Sequence, residues 1–171
     1  DAVTQVMQRV RPDAVLHLAA IIAPTAYVIP GKAYAVNVTG TNNIIEAAKT
    51  LSSPPRIVFT SSYSVHGPRN PYRELPPITS QTPVNPGDNY GAHKVWGERA
   101  VQSSGLEWVV VRLPQVWPTD PAFGTAPEFM RFSFLLSPDR LVTAIDSRDA
   151  ALALVNAASR DVANRTFIVG G

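Results

Sequence analysis

Arg56-Ile57-Val58-Phe59-Thr60-Ser61, followed at once by Ser62, decides the fold. An apolar centre, Ile57-Val58-Phe59, followed by three hydroxyl residues suits a buried parallel strand covered on both faces. Upstream, Ala14-Val15-Leu16-His17-Leu18 has the same character and follows Pro12-Asp13. Downstream, Glu107 to Leu113 carries Trp108-Val109-Val110-Val111, and Thr166-Phe167-Ile168-Val169 precedes the terminal glycines. A further brief strand is expected at 141–145. Helical spacing fills the intervals: 3–10, 32–50 (Val36, Gly40, Ile44, Ala47 and Ala48), 89–104 closed by Gly105, a short helix at 127–136, and 146–158. Proline-rich loops are expected at 67–88 and 114–126. Strands alternating with helices predict an α/β fold with a parallel sheet and right-handed crossovers. In such sheets ligands bind at the carboxyl ends of the strands. Leu18-Ala19-Ala20, Ser61-Ser62 and Leu113-Pro114 all fall at such ends.

The segment with most chemical content is Tyr90-Gly91-Ala92-His93-Lys94, where Tyr90 stands 28 residues after Ser62. A tyrosine and a lysine four apart share one helix face. Alone, that pair more often marks a surface helix; with a serine at a strand end opposite, it forms a proton-handling group. A free phenol, with a pKa of about 10, is a poor base near neutrality, and a neighbouring ammonium favours its ionised form. The serine would hold the oxygen of an alcohol or ketone, and a nicotinamide would exchange the hydride.

Composition sets the outer limits. The chain has 171 residues, 45% hydrophobic and 16% charged, with a net charge of +2. That describes one globular domain with a sizeable core. The basic patches Arg9-Val10-Arg11 and Arg69 to Arg73 are too small for a nucleic-acid stripe. There is no cysteine, which rules out disulfides and thiolate metal sites. The longest apolar stretch, Ala14 to Ile29, is broken by His17 and Pro24 and is too short to span a bilayer. No charged-then-apolar leader opens the sequence, so a cytoplasmic protein is expected. His17, His66 and His93 are scattered, and no metal site is expected. Trp96, Trp108 and Trp117 read as core or pocket wall. Asp146 and Asp149 read as helix-initiating groups. No Gly-x-Ser-x-Gly elbow points to a hydrolase.

Taken in order, these segments resemble the extended short-chain dehydrogenase/reductase family, which includes NAD-dependent sugar epimerases and dehydratases. Pro12 to Ala20 is similar to its fourth-strand cofactor motif, and Asn37-Val38-Thr39-Gly40-Thr41-Asn42-Asn43-Ile44-Ile45-Glu46-Ala47-Ala48 to its next helix. Ile57 to Gly67, Pro83-Val84-Asn85-Pro86, Tyr90 with Lys94, and Val110 to Pro114 continue the match. Ser147-Arg148-Asp149-Ala150-Ala151 and Phe167 to Gly171 complete it.

The resemblance implies a Rossmann-like, doubly wound parallel sheet, here lacking the first βαβ unit. Residues 1–171 would be a partial NAD(P)-binding domain of a larger protein, with 114–140 contributing to the substrate region. Ser62 would orient the substrate, Tyr90 would be the acid/base, and Lys94 would tune Tyr90 and bind the nicotinamide ribose. Leu18, Ala19, Ala20, Asn37 and Pro114 would line NAD or NADP. The implied activity is an NAD(P)-dependent oxidoreductase or epimerase acting on a secondary alcohol or ketone, with a sugar or nucleotide sugar as the candidate substrate. A non-catalytic, cofactor-binding regulatory or scaffold protein of the same fold is the alternative. Tyr63-Ser64 stands where family dehydratases carry Asp-Glu, which disfavours 4,6-dehydration. Gln115 replaces an asparagine common among sugar-nucleotide enzymes. A homodimer through helices 32–50 and 89–104 is expected.

Overall fold

The computed structural model describes residues 2–70, 72–119 and 143–170. Helix α1 (Ala2–Val10) leads into β1 (Ala14–His17). Two short helices, α2 (Thr25–Val28) and α3 (Pro30–Tyr34), run into a π-helical turn at Ala35–Thr39 and then α4 (Gly40–Lys49). Strand β2 (Arg56–Ser62) ends in a 3-10 turn, Tyr63–His66. Next come α5 (Asn89–Gln102), β3 (Trp108–Leu113), β4 (Gln115–Trp117), β5 (Ala144–Asp146), α6 (Ser147–Ser159) and β6 (Arg165–Ile168).

Four strands form a parallel sheet in the order β1-β2-β3-β6. Their apolar residues are shared between two layers, as strands buried on both faces require. Ile57, Phe59 and Val110 pack with Ile45 and Ala48 of α4 and Val101 of α5. Val58, Val109, Val111 and Leu113 pack with Ala150, Leu154 and Ala157 of α6. Helices on both faces of a parallel sheet make this the doubly wound, Rossmann-like α/β fold. Among the described residues no helix is long and apolar enough to cross a membrane.

Among the described residues, the expected strands and helices form near where their patterns place them, with three differences. The helix expected at 32–50 begins at Pro30, whose fixed φ suits a first helical position, and it widens into a π turn around Asn37. Periodicity does not report that widening, because Asn37 turns inward to bind backbone outside its helix. The loop expected at 114–126 contains β4, which pairs in parallel with β5 as a second, two-stranded sheet. Pro114 and Pro118 bracket it and hide so short a strand. The brief strand expected at 141–145 lies at Ala144–Asp146. The helix expected at 127–136, and residues 120–140 of the expected substrate region, lie outside the described residues. As expected, Asp146 caps α6, its Oδ1 accepting from Arg148 N at 2.8 Å.

Two contacts fix where the site will stand. Gly97 lets α5 approach β2 closely: a Cβ there would lie 2.7 Å and 2.9 Å from two carbons of the Phe59 ring. Buried His17 sits in register with Phe59, and its Nε2 donates to Thr41 Oγ1 at 2.8 Å while Thr41 donates onward to the Asn37 carbonyl at 2.7 Å. Burial, helped by the nearby Lys94 charge, pulls the His17 pKa down to about 4.

Gly97→Ala should destabilise the fold by about 1–3 kcal/mol in denaturant titration, because the Phe59 ring must move. His17 is neutral in the fold, so the unfolded chain takes up its proton first. Stability should be complete above about pH 6.5 and fall as pH drops toward 4. His17→Gln should flatten that acid slope, which unfolding midpoints across the range would read.

Candidate active site

The carboxyl end of β2 gathers Ser62, Tyr90 and Lys94. Ser62, in extended conformation, caps the turn after the strand: its Oγ accepts from Ser64 N at 3.2 Å and lies 3.2 Å from Ser64 Oγ. Gly67 closes that turn at φ +67, where a Cβ would meet the Asn85 carbonyl. The following loop is thereby held against the turn, with Asn85 N donating to the Val65 carbonyl at 2.8 Å.

Asp88 starts α5 by accepting Gly91 N on Oδ1 at 2.7 Å, while its Oδ2 accepts the Tyr27 hydroxyl at 2.9 Å. The cap fixes the first turn, which carries Tyr90. Burial raises the Tyr90 pKa above its usual 10; a hydrogen bond with Ser62 acts the other way, and Asp88 adds to the rise. Sequence reasoning expects the Lys94 ammonium to lower the phenol, and here the phenol is raised. The reason is burial. Lys94 Nζ donates to the Thr60 carbonyl at 2.7 Å and lies over two ring faces, 5.1 Å from the Phe59 centroid and 5.7 Å from that of Tyr90. Burial brings Lys94 itself down to about 8, partly offset by Glu98.

The strand ends on either side complete the edge. Because His17 pairs with Phe59, Leu18-Ala19-Ala20 leave the sheet beside Thr60, whose carbonyl holds Lys94. Leu18 and Ala19 are exposed and Ala20 is half-buried. Asn37 clamps the next residue of this loop with its whole amide: Oδ1 accepts Ile21 N at 2.7 Å and Nδ2 donates to Ile21 O at 2.8 Å. Its Nδ2 also approaches His93 Nδ1 at 3.4 Å. Asn37 therefore shapes the loop after β1 from the π turn. On the other side, Ser62 pairs with Leu113, which brings half-buried Pro114 alongside.

Ser62, Tyr90 and Lys94 thus meet at one strand end, flanked by Leu18–Ala20 and Pro114. An ammonium, a phenol and a serine hydroxyl beside small and apolar side chains fit the ribose and nicotinamide of a dinucleotide. Among the described residues, no group of three or more His, Cys, Asp or Glu stands together to hold a metal. Sequence reasoning missed a buried cluster behind the site, in which Glu98 and Arg112 form an ion pair at 2.8 Å joined by Ser61 and His66. The available signals were Arg112 inside an apolar strand and Glu98 one turn beyond Lys94.

The model of the NAD dependent epimerase/dehydratase family matches residues 1–119. D-erythronate dehydrogenase of Cupriavidus necator is 32% identical over 108 residues, which are 60% of this chain and 32% of that protein. UDP-glucose 4-epimerase of Lactobacillus helveticus is 30% identical over 115 residues, 64% of this chain and 33% of that one. The matched stretch therefore spans about a third of either relative. In structure, the chain is similar to UDP-glucose 4-epimerase from Brucella ovis in complex with NAD, with a TM-score of 0.76 at 22% identity, covering 99% of this chain and 60% of that one. The family model spans the sheet edge from Leu18 through Ser62 and Tyr90 to Pro114, and the chain belongs to the NAD-dependent epimerase/dehydratase family.

Proposed function

We propose that the protein is an NAD-dependent oxidoreductase or epimerase that interconverts a secondary alcohol and its ketone. The observation that carries this reading is the convergence of Ser62, Tyr90 and Lys94 at the carboxyl end of β2. NAD, when bound, supplies hydride exchange at the reacting carbon. Ser62 holds the substrate oxygen by a hydrogen bond and orients it toward Tyr90. Tyr90, whose pKa is raised by burial, rests in its protonated form at neutral pH and serves directly as the acid when a ketone is reduced. In the oxidative direction it must become a base. The Ser62 hydrogen bond favours that form, and the adjacent ammonium of Lys94 stabilises the negative charge as it grows. Lys94 also presents donors to the ribose hydroxyls. Leu18, Ala19 and Ala20 offer a low wall for the dinucleotide, shaped by Asn37, and Pro114 closes the nicotinamide side.

The similarity to D-erythronate dehydrogenase and UDP-glucose 4-epimerase supports a polyhydroxylated substrate, either a sugar acid or a nucleotide sugar. The protein would act in the cytoplasm as a homodimer through α4 and α5, and exposed Trp96 on α5 is consistent with a covered face.

Tyr90→Phe in the full-length protein should lower kcat at least about 100-fold while leaving the NAD dissociation constant within about twofold. Sugar acids, nucleotide sugars and simple secondary alcohols, each tried with NAD and NADP, would supply the substrate for that comparison. Near-normal turnover in the variant would contradict the mechanism. Tight cofactor binding without turnover on any substrate would favour a regulatory or scaffold protein.

A further inference from the structure

Behind the three reactive residues lies a second polar group that the proposed chemistry does not use. Glu98 of α5 is 3% exposed and Arg112 of β3 is 5% exposed. Arg112 Nε donates to Glu98 Oε1 at 2.9 Å and its Nη2 to Oε2 at 2.8 Å, a bidentate pairing. Ser61 Oγ donates to the same Oε1 at 2.5 Å. The remaining arginine nitrogen, Nη1, faces His66 Nε2 and the Ser80 carbonyl, each at 3.4 Å, while His66 Nδ1 lies 3.2 Å from the Pro83 carbonyl oxygen. Removing two charges from water costs several kcal/mol per ion, and apolar replacements of such pairs often stabilise as well or better. Stability alone is therefore a weak reason for the pair, whereas its connections are specific. Ser61 precedes Ser62 on β2, and Glu98 lies on the face of α5 that carries Lys94 four residues earlier and Tyr90 eight residues earlier.

We propose that Glu98 is a positioning residue, anchored by Arg112 and Ser61 so that α5 presents Tyr90 and Lys94 to Ser62 at one fixed height and rotation. This rests on the roles proposed above for those three residues. The bidentate fork fixes the direction of the Glu98 carboxylate, and the Ser61 bond ties it to the strand segment that carries Ser62. The carboxylate also acts on Lys94 through space. Burial drives the Lys94 ammonium toward its neutral form, and Glu98 opposes this. Among the described residues, the other groups around Lys94 supply no such anion. Tyr90 on its own helix is neutral at pH 7, His17 on β1 is neutral above about pH 4, and β2 offers the Thr60 carbonyl and the Phe59 ring. Arg112 and neutral His66 stand on the far side of the carboxylate, and Asp88 acts on Tyr90 and His93.

The test uses the full-length protein and two readouts: the Lys94 titration by NMR of its ammonium group, without substrate, and the pH profile of kcat. Glu98→Gln alone strands Arg112 and risks unfolding, so the principal variant replaces the pair together, Glu98→Met with Arg112→Met. It should fold, lower the Lys94 pKa by about one unit and shift the alkaline limb of kcat by the same amount. At neutral pH kcat should fall about tenfold or more, with a smaller change in KM. Ser61→Ala should lower kcat less, and Ser61→Thr, which keeps the hydroxyl, should restore it. Folded variants with an unmoved Lys94 titration and an unmoved kcat profile would overturn the proposal, even if their Tm fell. A wild-type protein without turnover would count against the proposed reaction, while the Lys94 titration would still decide whether Glu98 holds Lys94.

Discussion

The close seating of α5 on β2 is the contact on which the rest of the molecule depends. Phe59 fills the space that a side chain at Gly97 would occupy, so the helix lies nearer the sheet than an alanine would allow. The three groups of the proposed reaction belong to these two elements: Ser62 to the strand, Tyr90 and Lys94 to the helix. Reaction geometry is sensitive at the scale of an ångström, so a packing contact between apolar groups becomes a condition of the chemistry. The Asp88 cap sets where the helix begins, and the Glu98 tie sets how it faces the strand.

Close seating also has an electrostatic result. It removes water from Lys94, His17 and Tyr90 together, and each is driven toward its neutral form. For His17 this is harmless, because its hydrogen bond to Thr41 needs only the neutral ring. For Tyr90 it yields a protonated acid, suited to delivering a proton to a ketone oxygen. For Lys94 it works against the ammonium that the proposed reaction uses. The carbonyl of Thr60 and the Glu98 carboxylate both favour the ammonium against burial. The buried ion pair and the proposed trio of Ser62, Tyr90 and Lys94 can thus be understood as one electrostatic unit.

The sequence made the scaffold readable because strands buried on both faces leave unbroken apolar runs, as in Ile57–Phe59 and Trp108–Val111. It also made Ser62, Tyr90 and Lys94 readable, since their spacing matches a strand end followed by a helix face. What it concealed shares one cause: dependence on contacts between distant residues. Asn37 lies within a helical pattern, yet its amide binds the backbone of Ile21 and its helix widens to let it do so. Glu98 and Arg112 stand 14 residues apart on different elements, and they acquire meaning as a pair only once α5 lies across β3. Strand β4 is three residues between prolines and exists because β5 pairs with it. The direction of the Tyr90 shift was also concealed, because the depth of burial outweighs the neighbouring cation that spacing alone makes visible.

The most direct measurement is a crystal structure of the full-length protein with NAD and a substrate or inert alcohol analogue. The account predicts Lys94 Nζ within about 3 Å of a ribose hydroxyl, and the analogue oxygen within about 3 Å of both Ser62 Oγ and Tyr90 Oη. A nicotinamide bound away from the end of β2, with Ser62 and Tyr90 facing no ligand oxygen, would contradict it.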